Sequence, residues 1–463
     1  MSLSRRAVLA GAATVAAAAI PLAAHASPGR TVLRLQKRQI EVAGKPATRY
    51  RVVQDSGAFG LTLDGDIFDV RLVNDLDVPS GLHWHGLTEP WAQDGVPYLS
   101  GPPILPGAAR DFHFPATPPG TRWMHSHFGL QEQNLLAAPL IIRDADARRD
   151  DAQEVVLFLE DFVWASPESV FAGLRKPPAA GMADMKMDSS TSAPDLNDVE
   201  YDAYLANERT LDDPEVVQVE RNGKIRLRII NAGASSNFTI DLGNIEGTLI
   251  AVDGNPVAPL AGKRFPLAIA QRADIVLSMP PDGSAVPVLA LGEGRQMRAG
   301  IILQPPGAAV AKLATSSGEM GPQVGLDQEL RLAAAAPLTA RPIDRSIPVD
   351  LTGNMMGYVW GMPINGQGGL PATVARGERV EIVFRNTTMM SHPMHLHGHE
   401  FQVTEIDGKT IAGAIRDSIL VAPRATVKVV FDADNPGLWA FHCHNLYHMA
   451  AGMFSTLVYR GFA

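Results

Sequence analysis

The stretch GDIFDVRLVN, Gly65 to Asn74, sets Phe68, Val70 and Leu72 against Asp69 and Arg71, the alternation of a β-strand with one buried face. It recurs as GKIRLRIIN from Gly223 to Asn231 and as GERVEIVFRN from Gly377 to Asn386, with the opening glycines 158 and then 154 residues apart. Three homologous β domains are the simplest reading of that period. Proline (35) and glycine (42) are plentiful while helix-period patterns are scarce, which favours short strands joined by turns. The expected fold class is all-β.

The histidines follow the repeat. Nine residues after Asn74 comes His83-Trp84-His85, and nine after Asn386 comes His395-Leu396-His397. Later in the same two copies, Pro119 to His127 (PGTRWMHSH) corresponds to Pro436 to His444 (PGLWAFHCH). Residues i and i+2 of a strand share a face, so each His-x-His presents two imidazoles in one direction. Four such pairs offer eight ligands. The middle copy has Thr239 to Leu242 at the first place and no histidine, so it reads as a spacer. Of the 13 histidines, His25 lies in the leader described next, and only His113 and His399 of the rest fall outside this constellation and its extension in the third copy.

At 463 residues, with 46% hydrophobic and 19% charged residues, the chain can bury a large core. Arg5-Arg6, the apolar run Ala10 to Ala24 and the small-residue pattern Ala24-His25-Ala26 read as a twin-arginine signal peptide over residues 1–26. Its removal makes the formal charge of −9 still more negative, which argues against nucleic-acid binding. No later apolar run is long enough for a bilayer, so a periplasmic or secreted protein is expected, without membrane insertion and as a monomer. Export permits disulfides, yet the single cysteine, Cys443, cannot form an intramolecular one. A lone cysteine is ordinarily a buried, inert thiol. Its neighbours His442 and His444 argue otherwise.

The third copy adds His392, Cys443, His448 and Met453. Two imidazoles, a thiolate and a thioether form the donor set of a blue-copper electron-transfer site, because soft sulfur stabilises Cu(I). Structural zinc favours local four-ligand spacings with more thiolates and fits less well. The first copy has Ser80, Ser126, Gln131 and Leu136 at the matching places, so no such site is expected there. Since Cys443 and its two neighbours point to opposite faces, one tripeptide joins the cysteine site to the histidine cluster over a distance on the order of 10 Å.

With these motifs in order, the mature chain resembles the multicopper oxidases, a family that includes laccases, bacterial cuprous oxidases and copper-resistance oxidases. The resemblance implies three cupredoxin-like Greek-key β-sandwich domains and four copper ions. Carried over by position, type 1 copper falls to His392, Cys443, His448 and Met453, and type 2 copper to His83 and His395. The type 3 pair falls to His85, His125, His127, His397, His442 and His444. The implied divisions are 27–147 for the first domain, 148–310 for the spacer, 311–345 for a linker and 346–463 for the third domain. The trinuclear site is expected between the first and third domains. The implied reaction is one-electron oxidation of a small reductant or metal ion, coupled to four-electron reduction of dioxygen to water.

Asp94 aligns with an acidic residue that assists proton delivery in the family, although Asp-Gly by itself marks only a turn. Many laccase-like members carry a carboxylate between the positions of His444 and His448, where this chain has Asn445-Leu446-Tyr447, so a second acidic donor at that place is in doubt. Met182, Met185 and Met187 lie in a polar stretch with little core to fill, and read either as a soft Cu(I) uptake site or as a loop with incidental methionines. Met355-Met356 and Met389-Met390 are candidates to extend it, the latter pair equally suited to packing. Cu(I) is the favoured substrate, with phenols, aromatic amines or Fe(II) as others, and the implied role is periplasmic copper tolerance. A copper-sequestering protein and a redox-silent cupredoxin scaffold are the competing classes. The second would be expected to have lost ligands, and this chain has them all.

Overall fold

The computed structural model describes residues 30–176 and 196–462; the signal peptide and Met182, Met185 and Met187 lie outside the described residues. Six sheets form three two-sheet sandwiches. The three repeat strands, Ile67–Asn74, Lys224–Asn231 and Arg379–Asn386, hold equivalent places. Each runs parallel to the strand that opens its domain, Thr31–Val42, Gln153–Phe162 or Arg345–Asn354. Each is antiparallel to a later strand, Ala109–Pro115, Arg272–Ser278 or Thr426–Asp432.

Alternation places Phe68, Val70 and Leu72 in the first core, Ile225, Leu227 and Ile229 in the second, and Val380, Ile382 and Phe384 in the third. Burying such side chains contributes about 1.5–3 kcal/mol each. The middle copy departs from a strand with one buried face, because its second face is covered by the first domain. Ile230 packs with Trp123 and Ile141, and Arg228 donates to Thr121, Asp274 and Glu154.

The asparagine closing each repeat strand builds the same corner three times. Its Oδ1 accepts the N–H two residues on, in Leu76, Gly233 and Thr388. Its Nδ2 donates to carbonyls of the turn and of a distant strand, such as Val78 and Ile104, Ser236 and Leu267, or Met390 and Val421. These bonds satisfy backbone groups that leave the sheet in a buried place.

The second sheet carries the histidines. Leu82–His85 pairs with Gly120–Ser126 so that His83 faces His125 and Leu82 faces Ser126. His392–Leu396 pairs with Leu438–Cys443 so that His395 faces His442 and Met394 faces Cys443. Ser126 and Cys443 therefore occupy the same register position. Among the described residues, no helix is long and apolar enough to cross a membrane.

Candidate metal centre

Cys443 ends the strand Leu438–Cys443, His392 begins the strand His392–Leu396, and His448 lies in the helix Leu446–Ala450. Asn445 caps that helix, its side chain accepting the N–H groups of Tyr447 and His448. The two imidazoles approach Nδ1 to Nδ1 at 3.1 Å, and each Nδ1 is 3.8 Å from Cys443 Sγ. Met453 is held on both sides by main-chain bonds, its N–H to His448 O and its carbonyl to the N–H of Cys443, both 3.0 Å, and its side chain is fully buried. The outward nitrogens are partnered too. Nε2 of His392 is 2.8 Å from Thr388 Oγ1, and Nε2 of His448 is 3.1 Å from Asp198 Oδ2, whose carboxylate also accepts the Tyr358 hydroxyl. Burial pushes the Cys443 thiol up and holds His392 well below its ordinary value. A cation that stabilises the thiolate would reverse the first effect.

The matching pocket of the first domain is closed by hydrogen bonds. Ser80 Oγ and Ser126 Oγ both donate to Gln131 Oε1, at 2.7 and 2.9 Å, and Leu136 is fully buried.

Eight imidazoles meet where the first and third domains face each other. His83 stacks on His397 with ring centres 3.7 Å apart, and His85 on His395 at 3.8 Å. His127 Nε2 is 3.2 Å from His442 Nε2, and His125 Nε2 is 3.3 Å from His444 Nε2. Exchanging each histidine for its repeat mate converts one contact of either pair into the other, so the cluster has a local twofold relation. Burial first, and then the charges of neighbouring rings, hold His85, His125, His127, His395, His397 and His444 well below the ordinary histidine value. Burial likewise puts His442 at about 4. Neutral rings keep a lone pair to offer.

Three segments of the chain, residues 60–147, 155–287 and 340–461, match family models described as multicopper oxidase. The chain belongs to the multicopper oxidase family. It is similar to the multicopper oxidase MmcO of Mycobacterium tuberculosis, 33% identical over 408 residues that cover 85% of this chain and 80% of that protein. It is also similar to copper resistance protein A of Escherichia coli, at 27% identity over 84% of this chain and 86% of that protein. Among solved structures, Fet3p, a multicopper oxidase that functions in iron import, shares the fold with a TM-score of 0.76 at 21% identity, over 93% of this chain and 90% of that one. The laccase from Botrytis aclada does so with 0.72 at 23%, over 92% and 87%. The protein is thus an oxidase with copper cofactors of types 1, 2 and 3.

The donor atoms suit a multicopper oxidase. Nε2 of His83, Nε2 of His395 and Nδ1 of His85 are buried without a hydrogen-bond partner, which is the state of a ligand atom facing a metal position. The opposite nitrogens are engaged. His395 Nδ1 is 2.7 Å from the Asp417 carbonyl, and His85 Nε2 is 3.0 Å from Asp417 Oδ1. Asp94 Oδ1 lies 2.7 Å from His83 Nδ1 and 3.1 Å from His397 Nδ1, so one carboxylate joins a histidine of each domain. Glu132 Oε2 is 2.8 Å from His125 Nδ1 and its Oε1 is 3.9 Å from His444 Nδ1. Such outer contacts fix ring orientation and tautomer.

Asp198, Asp417 and Glu132 are absent from the motif-based reading. Glu132 stands beside Gln131 and could have been found by asking which acid in the first copy follows His-Ser-His. Asp417 and Asp198 carry no local signature, since long-range contacts alone bring them to the rings. Tyr447 donates to Gln133 at 3.1 Å. His399 bridges the His397 carbonyl and the Tyr459 hydroxyl, and His113 is exposed. Met355 and Met356 are exposed, whereas Met390 is buried and packs in the core.

Proposed function

We propose that this oxidase takes single electrons from a small reductant, with Cu(I) as the physiological substrate, and serves copper tolerance in the periplasm after twin-arginine export. The observation that carries the reading is the tripeptide His442-Cys443-His444: its cysteine meets His392 and His448, while its two histidines meet His127 and His125 of the first domain. We assign His392, Cys443, His448 and Met453 to type 1 copper, and His83 and His395 to type 2. The trios His127, His397, His442 and His85, His125, His444 are assigned to the type 3 pair. The chemistry supplied by copper in these positions is one-electron acceptance at the cysteine site and four-electron reduction of dioxygen to water at the cluster.

The chain's own residues arrange this chemistry. His442 Nδ1 donates to the Cys443 carbonyl at 2.9 Å, a second link between the two sites beside the peptide bond. Asp198 orients His448 from the outside and places a negative charge where a cationic reductant would approach. Asp94 is read as the group that delivers protons to the cluster. The names of the copper-resistance relatives and the methionines at 182, 185 and 187 support Cu(I) as substrate.

Oxygen uptake by the copper-loaded protein with Cu(I), Fe(II) and a phenol in parallel tests the reading. The expected result is the highest kcat/KM with Cu(I). No uptake with any reductant would point to copper sequestration. Deleting residues 182–187 is expected to lower Cu(I) oxidation more than phenol oxidation.

A further inference from the structure

Arg272, in the middle domain that carries no histidine ligand, is fully buried and opens the strand Arg272–Ser278. The repeat shows that the fold does not require an arginine at this place. Val73, Ile230 and Arg385 each precede the closing asparagine of a repeat strand, and they face Ala109, Arg272 and Thr426. The first and third copies thus manage with an alanine and a threonine. A buried ion pair also adds little stability over well-packed apolar side chains. What the guanidinium touches supplies a reason for it. All five of its N–H groups are used. Nε donates to the Thr121 carbonyl of the first domain at 3.2 Å, and Nη1 and Nη2 donate to the Ala270 and Asp253 carbonyls of its own domain at 2.9 and 3.2 Å. Nη1, at 2.7 Å, and Nη2 also grip the two carboxylate oxygens of Asp417 in the third domain. One side chain therefore joins all three domains.

Asp417 in turn holds one ring from each side of the cluster. Its Oδ1 is 3.0 Å from His85 Nε2, and its carbonyl oxygen is 2.7 Å from His395 Nδ1. The two rings stack at 3.8 Å with 12° between their planes, and His85 Nδ1 and His395 Nε2 are left buried without partners. Gly86, next to His85, makes this approach possible. A Cβ there would stand 2.6 Å from Asp417 Oδ2 and 2.7 Å from Arg272 Nη2, and its φ of +88° favours glycine. Arg122 Nη1 makes a looser contact with Asp417 Oδ2, at 3.4 Å, and bonds more closely to the Asp253 carbonyl at 2.7 Å.

We propose that Arg272 is a positioning residue for the histidine cluster: its two-pronged grip on Asp417 fixes the rings of His85 and His395. A carboxylate held by one contact can turn about its Cβ–Cγ bond. Held at both oxygens by a planar fork, it keeps Oδ1 toward His85 and anchors the main-chain carbonyl that meets His395. A lysine would keep the charge but, as a single point donor, not the plane. The middle domain then does more than separate the other two, since it supplies the side chain that locks a ring of each. The inference rests on the ligand assignment proposed above and is independent of which reductant is natural.

The test compares wild type, Arg272→Lys and Arg228→Lys as copper-loaded protein, with His395→Gln as reference. Arg228 is the control, because it too is a buried arginine of the middle domain that bonds to Thr121, at 2.9 Å, but its other partners are Asp274 and Glu154 rather than Asp417. Arg272→Lys is expected to keep the strand content and the blue absorption of the cysteine site. Its type 2 electron-spin splitting should change, and a chelator should strip type 2 copper at about tenfold lower concentration, the lower end of the scale for outer partners of a ligand. With a phenol as reductant, kcat should fall while KM stays the same. Arg228→Lys should leave the type 2 signal as in wild type. An unchanged signal and chelator resistance in Arg272→Lys, or the same changes in Arg228→Lys, would overturn the proposal. Should Arg272→Lys not fold, Gly86→Ala decides, since its methyl group presses on the same ion pair and should alter the same signal; loss of folding in both would assign the arginine to the fold and overturn its positioning role. A type 2 signal that survives in His395→Gln would instead refute the ligand assignment, so the two failures are told apart.

Discussion

Asp198 and His448 come from different domains, yet Oδ2 of the first stands 3.1 Å from Nε2 of the second. The contact polarises the imidazole and places a negative charge beside the cysteine site. Asp198→Asn should therefore raise the reduction potential of that site and lower kcat/KM about 10- to 100-fold, the usual scale for loss of such an outer partner. The loss should be greater for Cu(I) than for a neutral phenol. Potentiometric titration and kinetics with both reductants check this, and equal losses would remove any role for the charge in substrate choice.

Replacing Cys443 should remove function without removing the fold. Ser126 already occupies the same register in the first domain, bonded to Gln131. In Cys443→Ser the nearby His392 and His448 nitrogens can partner the hydroxyl. The variant is expected to be colourless and inactive with a strand content like that of wild type. A blue, active variant would refute the ligand assignment.

Asp417 holds two roles at once. It accepts from His85 Nε2, leaving Nδ1 inward, and it pairs with the fully buried Arg272. Asp417→Asn should lower copper content and also destabilise the copper-free protein by about 3–5 kcal/mol, since a buried charge loses its partner. Metal analysis and urea unfolding measure the two effects separately. Full copper content with intact stability would show that the contact does neither.

Glu293 gives the middle domain a pH signature. Burial raises its carboxyl to about 7, although Asn237 and the N–H of Val324 both donate to it. The folded state thus holds a proton that the unfolded state releases near the ordinary value of about 4.3. This contribution is fully present below the unfolded value and is lost as pH rises to the folded one, at most about 4 kcal/mol across that window. Glu293→Gln should flatten this part of the stability curve in urea titrations of copper-free protein. An equally steep curve in the variant would place the effect elsewhere.

Much of the molecule was legible because its repeat is written in strand alternation and in histidine spacing. Asn74, Asn231 and Asn386 mark the same corner in all three domains, and Ser126 against Cys443 located the single cysteine site before any contact was known. The covered second face of Lys224–Asn231 was not legible, because Arg226 and Arg228 alternate with Ile225, Leu227 and Ile229 as solvent-facing residues do, and only the first domain buries Arg228 and Ile230. The acids around the rings escaped for a related reason. Asp417 and Asp198 reach their histidines across domain boundaries, and no local period records such a meeting.

The twofold histidine cluster draws four of its rings from near the start of the described chain and four from near its end. A chain ending before His444, or one whose first and third domains dock out of register, would lack a complete set. Copper held by the assigned rings would therefore report that the first and third domains have both folded and closed on each other, since each supplies four of the eight.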